Sequence, residues 1–405
     1  IYTDSTGGGT VRLLKINGFD VSITGDCFEL VLQSEASGNS AEELMQACLS
    51  LFSENEGSSL SAGDKGCLIN IKSRTEIPEE IINRIKQLES VESVHLITPI
   101  LVVTSNKNAV LPFHSAEELQ RLAEENHKEL WELAIDYEKA RSGWNDKAIK
   151  NYMRFVIETM EAGVREALKG DIEMNGVLKP TAGKIGNFIE HDRRALDMGL
   201  LNAMVPWSVA TMEYSSAMGV VLCAPTGGSA GVFPGAVLAA ANQLKLDMDE
   251  KIKLMLTTAV IGIAMSKDHN YSAELYGCQV EPGAASAMAA GALVFLMGGT
   301  PRQSLMAASC AVQNILGTIC DPVAGLVQLP CISRNAMSVA NSLVSANMVM
   351  GGYDPLIPLD QAAETMFRVG MQLPSELRCT CKGGLCTTPC GQQLAKEQDL
   401  RNQQR

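Results

Sequence analysis

Three cysteines in the second half of the chain have neighbours and spacings that point to metal chemistry. Cys278 lies beside a glycine, Cys320 follows 42 residues later, and Cys331 lies another 11 residues on, next to a proline. Disulfide frameworks and zinc knuckles use other spacings. Three thiolates that a fold brings together can hold an iron–sulfur cluster and leave one iron without a protein ligand. We interpret these cysteines as the ligands of a catalytic cluster.

The composition predicts a large acidic protein of two or three domains. Its 405 residues are 46% hydrophobic, which is enough for large cores. A net charge of −13 argues against nucleic acid or an anionic membrane as a partner. Twelve cysteines without a recognisable signal peptide favour the cytoplasm, where thiolates serve as metal ligands or reactive groups. The longest apolar run, 284–297, is short for a membrane span, so we expect a buried helix and no membrane partner.

The N-terminal quarter predicts an α+β module. Residues 10–24 indicate two strands joined at Asn17-Gly18, a strong hairpin signal. Residues 27–104 alternate strand and helix patterns in an order that predicts a ferredoxin-like split βαβ arrangement. Because the chain opens at Ile1, without Met, and runs directly into a strand pattern, we expect an upstream portion of the protein to precede it.

The remainder of the chain predicts a large helical domain. Residues 105–112 form a candidate linker, and helical periodicity then extends from Ser115 to Leu168. From Leu196 to Tyr353 the sequence is apolar and mostly helical. The fold class we expect is therefore multidomain, with an N-terminal α+β ferredoxin-like module followed by a large all-α domain.

Two glycine-rich interruptions carry side chains suited to holding a carboxylate. The candidate substrate-binding residues are Thr181 and Lys184 in the loop-like stretch 176–186, and Thr226 and Ser229 in 224–234, before a predicted helix at 235–244. Backbone N–H groups in such turns and at helix N-termini bind anions. The alternatives are a surface turn for the first stretch and a kinked helix junction for the second.

Polar residues also flank the cysteines. His269, Asn270 and Ser272 lie shortly before the first cysteine, and Arg334 and Asn335 follow soon after the third. Polar groups between apolar helices must find partners or face a cavity. Ser272, Arg334 and Asn335 are candidate substrate-binding residues, since an arginine can bind both oxygens of a carboxylate. His269 and Asn270 are candidate catalytic residues; the alternatives are a structural histidine and a base in the absent upstream portion.

Four further cysteines lie close together near the C-terminus. Cys379, Cys381, Cys386 and Cys390 fall within twelve residues, with spacings that fit no common zinc or ferredoxin pattern. One of these thiols can reach the open iron of a cluster in a resting state. The alternative is that all four are unligated and reduced.

With these motifs the chain resembles the bacterial iron–sulfur-dependent L-serine dehydratases. The matching stretches are Ala217-Met-Gly219, Ala224-Pro-Thr-Gly-Gly-Ser-Ala-Gly231, Gly277-Cys-Gln279, Met297-Gly-Gly-Thr-Pro301, the block from Cys320 to Met337, and Gly383-Gly-Leu-Cys-Thr-Thr-Pro389. The resemblance to the α domain of that family extends over 155–395. Residues 5–25 resemble the end of its β domain, and 27–104 occupy the place of its ACT-like module.

The resemblance implies an activity and a domain division. A 4Fe-4S cluster would be held by Cys278, Cys320 and Cys331, and its fourth iron would bind a small-molecule substrate, the amino acid L-serine. Loss of water would then give pyruvate and ammonia, in amino-acid catabolism and gluconeogenesis. A cytoplasmic homo-oligomer is implied, with a β domain or subunit missing from this chain. The implied domains are a truncated β domain (1–26), an ACT-like module (27–104), a linker with helices (105–154), the catalytic α domain (155–395) and a polar tail (396–405).

Two other functions stay open at this point. The chain departs from the family at 181–186, where Thr-Ala-Gly-Lys-Ile-Gly replaces Ser-Gly-Leu-Thr-Gly-Gly. A lyase that acts on L-cysteine would use the same scaffold and release sulfide. A non-catalytic cluster-binding or sensor protein would normally use four protein ligands.

Overall fold

The computed structural model describes residues 14–16, 19–21, 28–52, 55, 57–63, 66–73, 76–97, 109–267 and 269–403. These residues form two compact units that divide after residue 104. Half of the predicted linker, 105–108, and the turn at Asn17-Gly18 lie outside the described residues. No helix in the described ranges is both long and apolar enough to cross a membrane.

The first unit contains antiparallel strands and two helices. Its elements are β1 (Leu14–Ile16), β2 (Phe19–Val21), β3 (Phe28–Ser34), α1 (Asn39–Leu49), β4 (Gly57–Gly63), β5 (Gly66–Ser73), α2 (Glu79–Lys86) and β6 (Val91–Ile97). β1 and β2 pair as the predicted hairpin, with Ile16 opposite Phe19. The other strands form one sheet in the order β4-β5-β3-β6, with every neighbouring pair antiparallel. The predicted α+β class of this unit is confirmed.

Alternation of apolar residues builds the core of this unit. Leu30 and Leu32 on β3 and Ile69 and Ile71 on β5 are all fully buried. Alternate residues of a strand face the same side of a sheet, so these four side chains share one face. The apolar stripe of α1, including Cys48, packs against that face.

The described residues of the second unit are mostly helical. Its helices are α3 (Ala116–Asn126), α4 (Leu130–Ser142), α5 (Asp146–Leu168), α6 (Ala182–His191), α7 (Leu201–Ser216), α8 (Ala239–Gln243), α9 (Met248–Ser266), α10 (Ala273–Tyr276), α11 (Pro282–Leu296), α12 (Pro301–Ile315), α13 (Cys331–Met350), α14 (Leu359–Gln372) and α15 (Pro389–Gln403). The helical stretch predicted from Ser115 to Leu168 is confirmed as three helices. Ser115 and Asn145 are the N-caps of the first and third of these helices. Their side chains accept the backbone N–H groups of Glu118 and Ala148, respectively.

Helix α11 forms the centre of this unit. Its residues from Pro282 to Val294 are all buried, and it packs against α9, α12 and α13. Small side chains allow that close packing: a Cβ at Gly291 would lie 2.3 Å from Cδ1 of Ile261. Since α11 begins just after Cys278, the core of the unit fixes where that cysteine lies.

The structure differs from the sequence prediction at two helices. α6 begins at Ala182, inside the stretch predicted as a loop, because the buried carboxylate of Glu213 accepts the N–H groups of Thr181 and Ala182 at 2.7 and 3.0 Å. Residues 234–238 form a π-helical turn before α8 where one regular helix was predicted. Pro234 has no N–H to donate, and a Cβ at Gly235 would lie 2.9 Å from the carbonyl oxygen of Met204, so the chain widens there.

Candidate active site

Cysteines from separate segments converge in one buried group of the helical unit. Cys278 and Cys320 pack together with Ala273, and Cys379 lies against them. The thiol of Cys331 is close enough to interact electrostatically with Cys278 and Cys379. The exposed fractions of Cys278, Cys320 and Cys331 are only 2%, 3% and 8%. The fold thus brings Cys278 and Cys320 into contact, places Cys379 against them, and leaves Cys331 near enough for its charge to be felt.

Two of these thiols resist ionisation. Hydrogen bonds with Cys278 and Cys379, followed by burial, raise the pKa of Cys320. Burial is the largest cause that raises the pKa of Cys331, followed by the charges of Cys278 and Glu281. Buried thiolates this close repel one another, and a bound cation would relieve both the repulsion and the desolvation.

A glycine and a glutamine fix the turn that carries Cys278. Gly277 has a φ of 77°, and a Cβ there would lie 2.7 Å from the carbonyl oxygen of Thr318. Gln279 is fully buried, and its Oε1 accepts the N–H of Gly317 at 2.9 Å. Its backbone N–H donates to the carbonyl of Thr318 at 3.2 Å. These contacts bind the first cysteine's turn to the residues that lead into the second.

The segment of Cys320 pairs with the C-terminal part of the chain. The N–H of Cys320 donates to the carbonyl of Leu377 at 2.9 Å, and its carbonyl accepts the N–H of Cys379 at 2.8 Å. The carboxylate of Asp321, which is 2% exposed, accepts the N–H of Leu385 at 2.8 Å. Backbone pairing therefore holds the late cysteines of the chain beside Cys320.

Arg334 connects the segments of all three predicted ligands. Its guanidinium pairs with Asp321 at 2.8 Å, donates to the carbonyl of Ile319 at 2.9 Å, and lies 3.6 Å from the sulfur of Cys278. It lies in the first turn of the helix that begins at Cys331. The cation thus faces a thiol and a carboxylate of the protein itself.

Asn335 connects the glycine-rich loop to the same helix. Its side chain is fully buried and makes three hydrogen bonds. Oδ1 accepts the N–H of Gly231 at 3.1 Å, and Nδ2 donates to the carbonyls of Gly228 and Cys331 at 2.8 and 2.9 Å. The amide therefore fixes the distance between the loop and the third cysteine.

The two hydroxyl groups of the glycine-rich loop have different partners. Ser229 is fully buried; its Oγ donates to the carbonyl of Ala224 at 2.9 Å and accepts the N–H of Thr226 at 3.2 Å. The hydroxyl of Thr226 lies 3.1 Å from that of Ser229 and also hydrogen-bonds to Glu281. Ser229 therefore shapes the loop, whereas Thr226 reaches outward from it.

Glu281 brings a carboxyl group against this loop. It immediately precedes α11, and a Cβ at Gly228 would lie 2.6 Å from its Oε2. Burial raises the pKa of Glu281 to about 7; the hydrogen bond with Thr226 opposes the shift and the charge of Glu274 adds to it. A carboxyl group with a pKa near neutrality can accept or donate a proton at physiological pH.

Comparison with known proteins assigns this region to a family. A family model described as the serine dehydratase alpha chain matches residues 125–386, which include every cysteine of the buried group. The chain belongs to the serine dehydratase alpha chain family. The resemblance that the cysteine motifs indicated is therefore confirmed at the level of the family.

Relatives in this family differ in length. The chain is 35% identical to the probable L-serine dehydratase, alpha chain, of Bacillus subtilis over 285 residues, which make up 70% of this chain and 95% of that protein. It is 33% identical to the L-serine dehydratase, alpha chain, of Peptoniphilus asaccharolyticus, covering 70% of this chain and 97% of that protein. The match to L-serine dehydratase 2 of Escherichia coli, at 31% identity, covers 68% of this chain but only 61% of that protein.

Several residues predicted from the sequence contact other parts of this serine dehydratase-family unit. The N–H and hydroxyl of Thr181 both donate to Glu213, at 2.7 and 2.8 Å, and Lys184 is exposed in the first turn of α6. Asn270 accepts the N–H of Ser272 at 3.0 Å within a local turn. None of these contacts, among the described residues, reaches the buried cysteines.

His269 lies in an aromatic group beside α14. Its ring stacks on Phe367, with centroids 4.2 Å apart. Nδ1 lies 3.5 Å from the hydroxyl of Tyr276, and Nε2 lies 3.4 Å from Glu364. Both ring nitrogens therefore face these two residues rather than a thiol.

Sequence reasoning missed three polar residues of the site. Gln279, Glu281 and Asp321 each lie within three residues of a predicted cysteine ligand, in otherwise apolar surroundings. A polar group in such a position must find a partner, and that signal was available in the sequence. For Glu281 the partner loop is more than fifty residues away, so its role becomes visible only in the fold.

Proposed function

We propose that this chain is the catalytic portion of an iron–sulfur L-serine dehydratase. The reaction removes water from L-serine to give aminoacrylate, which rearranges and takes up water to release pyruvate and ammonia. Support comes from relatives named L-serine dehydratase, two of them α chains matched over nearly their whole length. The observation that carries the proposal is the buried contact of Cys278 with Cys320, together with Cys331, which is buried and interacts electrostatically with Cys278.

Three cysteine thiols are a donor set of the kind that holds an iron–sulfur cluster. No group of three or more His, Cys, Asp or Glu in the described ranges has the arrangement of a site for one metal ion. Cluster ligands bind separate irons, so their sulfurs need not meet at one point. Cys278, Cys320 and Cys331 would hold a 4Fe-4S cluster, whose iron without a protein ligand supplies a Lewis acid for the departing hydroxyl group.

The protein's own groups have separate tasks in this proposal. Arg334 would hold Cys278 and its surroundings through charge-assisted hydrogen bonding to the sulfur, a contact that tunes such centres. Asn335 and Ser229 would position the glycine-rich loop, whose N–H groups and Thr226 hydroxyl would meet the substrate carboxylate. Thr181, Lys184 and Ser272 lie outside the glycine-rich loop. They would bind the substrate only if it also contacts the segments that carry them.

Glu281 is our choice for the group that takes the α-proton of L-serine. It lies between the glycine-rich loop and the cysteine group, where it contacts Gly228 and influences the thiol of Cys331. A carboxylate held in a partly desolvated position is a suitable general base. His269, assisted by Asn270, is the second candidate, and its stacking and contact with Glu364 make it less available.

We also propose that the first unit is an ACT-like module with the ferredoxin-like arrangement. Its elements from β3 to β6 follow the order β-α-β-β-α-β. In the sheet, β3, the first strand of this series, lies between β5 and β6, which are its third and fourth strands. Such modules bind small ligands, and a homo-oligomer joined to a β portion is the assembly we expect.

One anaerobic experiment tests the proposed activity. The full chain, reconstituted with iron and sulfide, is incubated with L-serine and separately with L-cysteine, and pyruvate, ammonia and sulfide are measured. Pyruvate and ammonia in equal amounts from L-serine support the proposal. Sulfide and pyruvate from L-cysteine alone would indicate the alternative lyase, and no product from either, with and without an added β chain, would indicate a cluster-binding protein without catalysis.

A further inference from the structure

Two thiols near the C-terminus share one hydrogen-bond acceptor. The sulfurs of Cys381 and Cys386 lie 3.4 and 3.2 Å from the carbonyl oxygen of Pro322. Each sulfur is also within hydrogen-bonding distance of the other. A thiol is a weak donor, so two of them on one carbonyl form a contact whose strength depends on both remaining reduced.

The acceptor belongs to the loop of a proposed cluster ligand. Pro322 is two residues after Cys320, and it is buried. The same C-terminal segment, 377–386, donates the N–H of Leu385 to Asp321 and pairs its backbone with Cys320. The two thiols therefore form the sulfur part of a clamp that holds the Cys320 loop.

We propose that Cys381 and Cys386 form a redox-active dithiol that closes to an intrachain disulfide. Closure removes both S–H donors from the carbonyl of Pro322 and so loosens the clamp on the Cys320 loop. The existence of the dithiol is independent of the proposed serine chemistry, whereas its role as a regulator of the active site rests on that function.

The exposures of the two thiols give the order of the steps. Cys381 is exposed and Cys386 is buried, so a soluble oxidant meets Cys381 first. With oxidised glutathione, the Cys381 thiolate attacks one sulfur of the glutathione disulfide and releases the first glutathione thiolate. The Cys386 thiolate then attacks Cys381, the new S–S bond forms, and the second glutathione leaves. Two protein thiols are oxidised, one glutathione disulfide is reduced, and the two thiol protons pass to the departing glutathione thiolates.

The test is anaerobic thiol mapping of the full iron-reconstituted chain. The protein is treated with oxidised glutathione, free thiols are blocked, and peptides are analysed by mass spectrometry. We expect Cys381 and Cys386 to carry no blocking group and their peptide to be about 2 Da, the mass of two hydrogens, lighter than the unblocked dithiol. Dithiothreitol should reverse this difference. Cys386→Ser should trap glutathione on Cys381. Cys390→Ser, which removes an exposed cysteine outside the pair, should leave the disulfide unchanged.

A structural readout separates the clamp from chance oxidation. Hydrogen exchange in the peptide around 318–326 should become faster on oxidation of the wild type and of Cys390→Ser, and should not change for Cys381→Ser. Unchanged exchange in the wild type despite a closed disulfide would overturn the clamp. A disulfide to Cys379 or Cys390, no disulfide at all, or loss of bound iron in Cys381→Ser would overturn the dithiol assignment.

These outcomes are distinguishable from failure of the proposed function. Disulfide formation without pyruvate release would reject only the serine chemistry. Pyruvate release without a disulfide would reject only the dithiol. When both hold, oxidation should lower pyruvate release by the wild type and leave that of Cys381→Ser unchanged.

Discussion

Asp321 and Arg334 form an ion pair, 2.8 Å from Oδ1 to Nη2, that joins the segment after Cys320 to the helix that begins at Cys331. The Asp321 side chain is 2% exposed and that of Arg334 is 18% exposed. Removal of one partner would leave a buried charge without compensation. The pair therefore holds two of the proposed cluster ligands at a fixed separation.

Substitution of Arg334 should destabilise the helical unit. We expect Arg334→Gln to lower the free energy of unfolding by about 3 kcal/mol, because Asp321 loses its counter-charge in a buried position. Urea unfolding followed by tryptophan fluorescence reports this unit, since all three tryptophans lie in it. Lys169→Gln is the control: the pair of Lys169 with Glu166 is even shorter, at 2.6 Å, but it is exposed, so we expect a change within about 0.5 kcal/mol. Equal losses in both variants would contradict the prediction.

Two glycines offer a matched test of the Cys278 turn. Gly277 and Gly298 share a φ of 77°. A Cβ added at Gly298 would have no neighbouring atom within 4 Å. A Cβ added at Gly277 would lie 2.7 Å from the carbonyl oxygen of Thr318. Gly298→Ala should cost roughly 1 kcal/mol through backbone strain alone. Gly277→Ala should cost more and should also lower the iron content, because its turn carries the cysteine. Iron content that stays normal in Gly277→Ala would show that the turn tolerates displacement.

Asn335 should be far more important than a similar asparagine on the same helix. Asn335 and Asn347 each donate to the carbonyl four residues earlier, but only Asn335 is buried and bonded to the glycine-rich loop. We expect Asn335→Ala to cost on the order of 2–3 kcal/mol, since buried backbone groups lose their partners. Asn347→Ala should cost well under half of that. A similar unfolding midpoint for the two variants would rule out a special positioning role.

The free energy of unfolding should depend on pH through Glu281. Its folded pKa, about 7, is above the ordinary value, so the carboxyl group favours the fold in its protonated form. The stabilisation should be complete below the ordinary pKa near 4.5 and be lost as the pH rises through about 7. The stability of Glu281→Gln should therefore show less decline across that interval than the wild type.

The same residue should set the pH profile of catalysis. As a base, Glu281 must be ionised, so kcat/KM for L-serine should rise with pH through about 7. Glu281→Gln should lower kcat by on the order of 100-fold or more. Glu274→Gln removes an exposed neighbouring carboxylate and should leave most of the activity. If His269→Asn abolishes the activity while Glu281→Gln retains it, the base is the histidine.

The sequence predicted local structure best where a residue type restricts the backbone conformation. The glycine before Cys278 and the proline before Cys331 mark turns, and the helical periodicity from Ser115 onward follows from an apolar stripe. Those features depend on near neighbours. The α+β class of the first unit and the helical class of the second could be predicted for this reason.

Tertiary contacts decided the features that the sequence left open or missed. Glycines at 183 and 186 made the start of α6 look like a loop, but Glu213, some thirty residues away, stabilises its first turn. The sequence predicts substrate binding for Ser229 and Asn335. In the fold, both side chains form hydrogen bonds with the backbone of the glycine-rich loop. Which partner a polar side chain finds depends on the whole fold.

Iron content after replacement of single cysteines tests the central claim most directly. The full chain and its Cys278→Ser, Cys320→Ser and Cys331→Ser variants are reconstituted anaerobically, with Cys310→Ser, a buried thiol on α12, as the control. We predict about four irons and four sulfides per chain for the wild type and the control, and loss of most of the iron together with pyruvate release from L-serine in the other three. A normal iron content in any of those three variants, or the same loss in the control, would contradict the account.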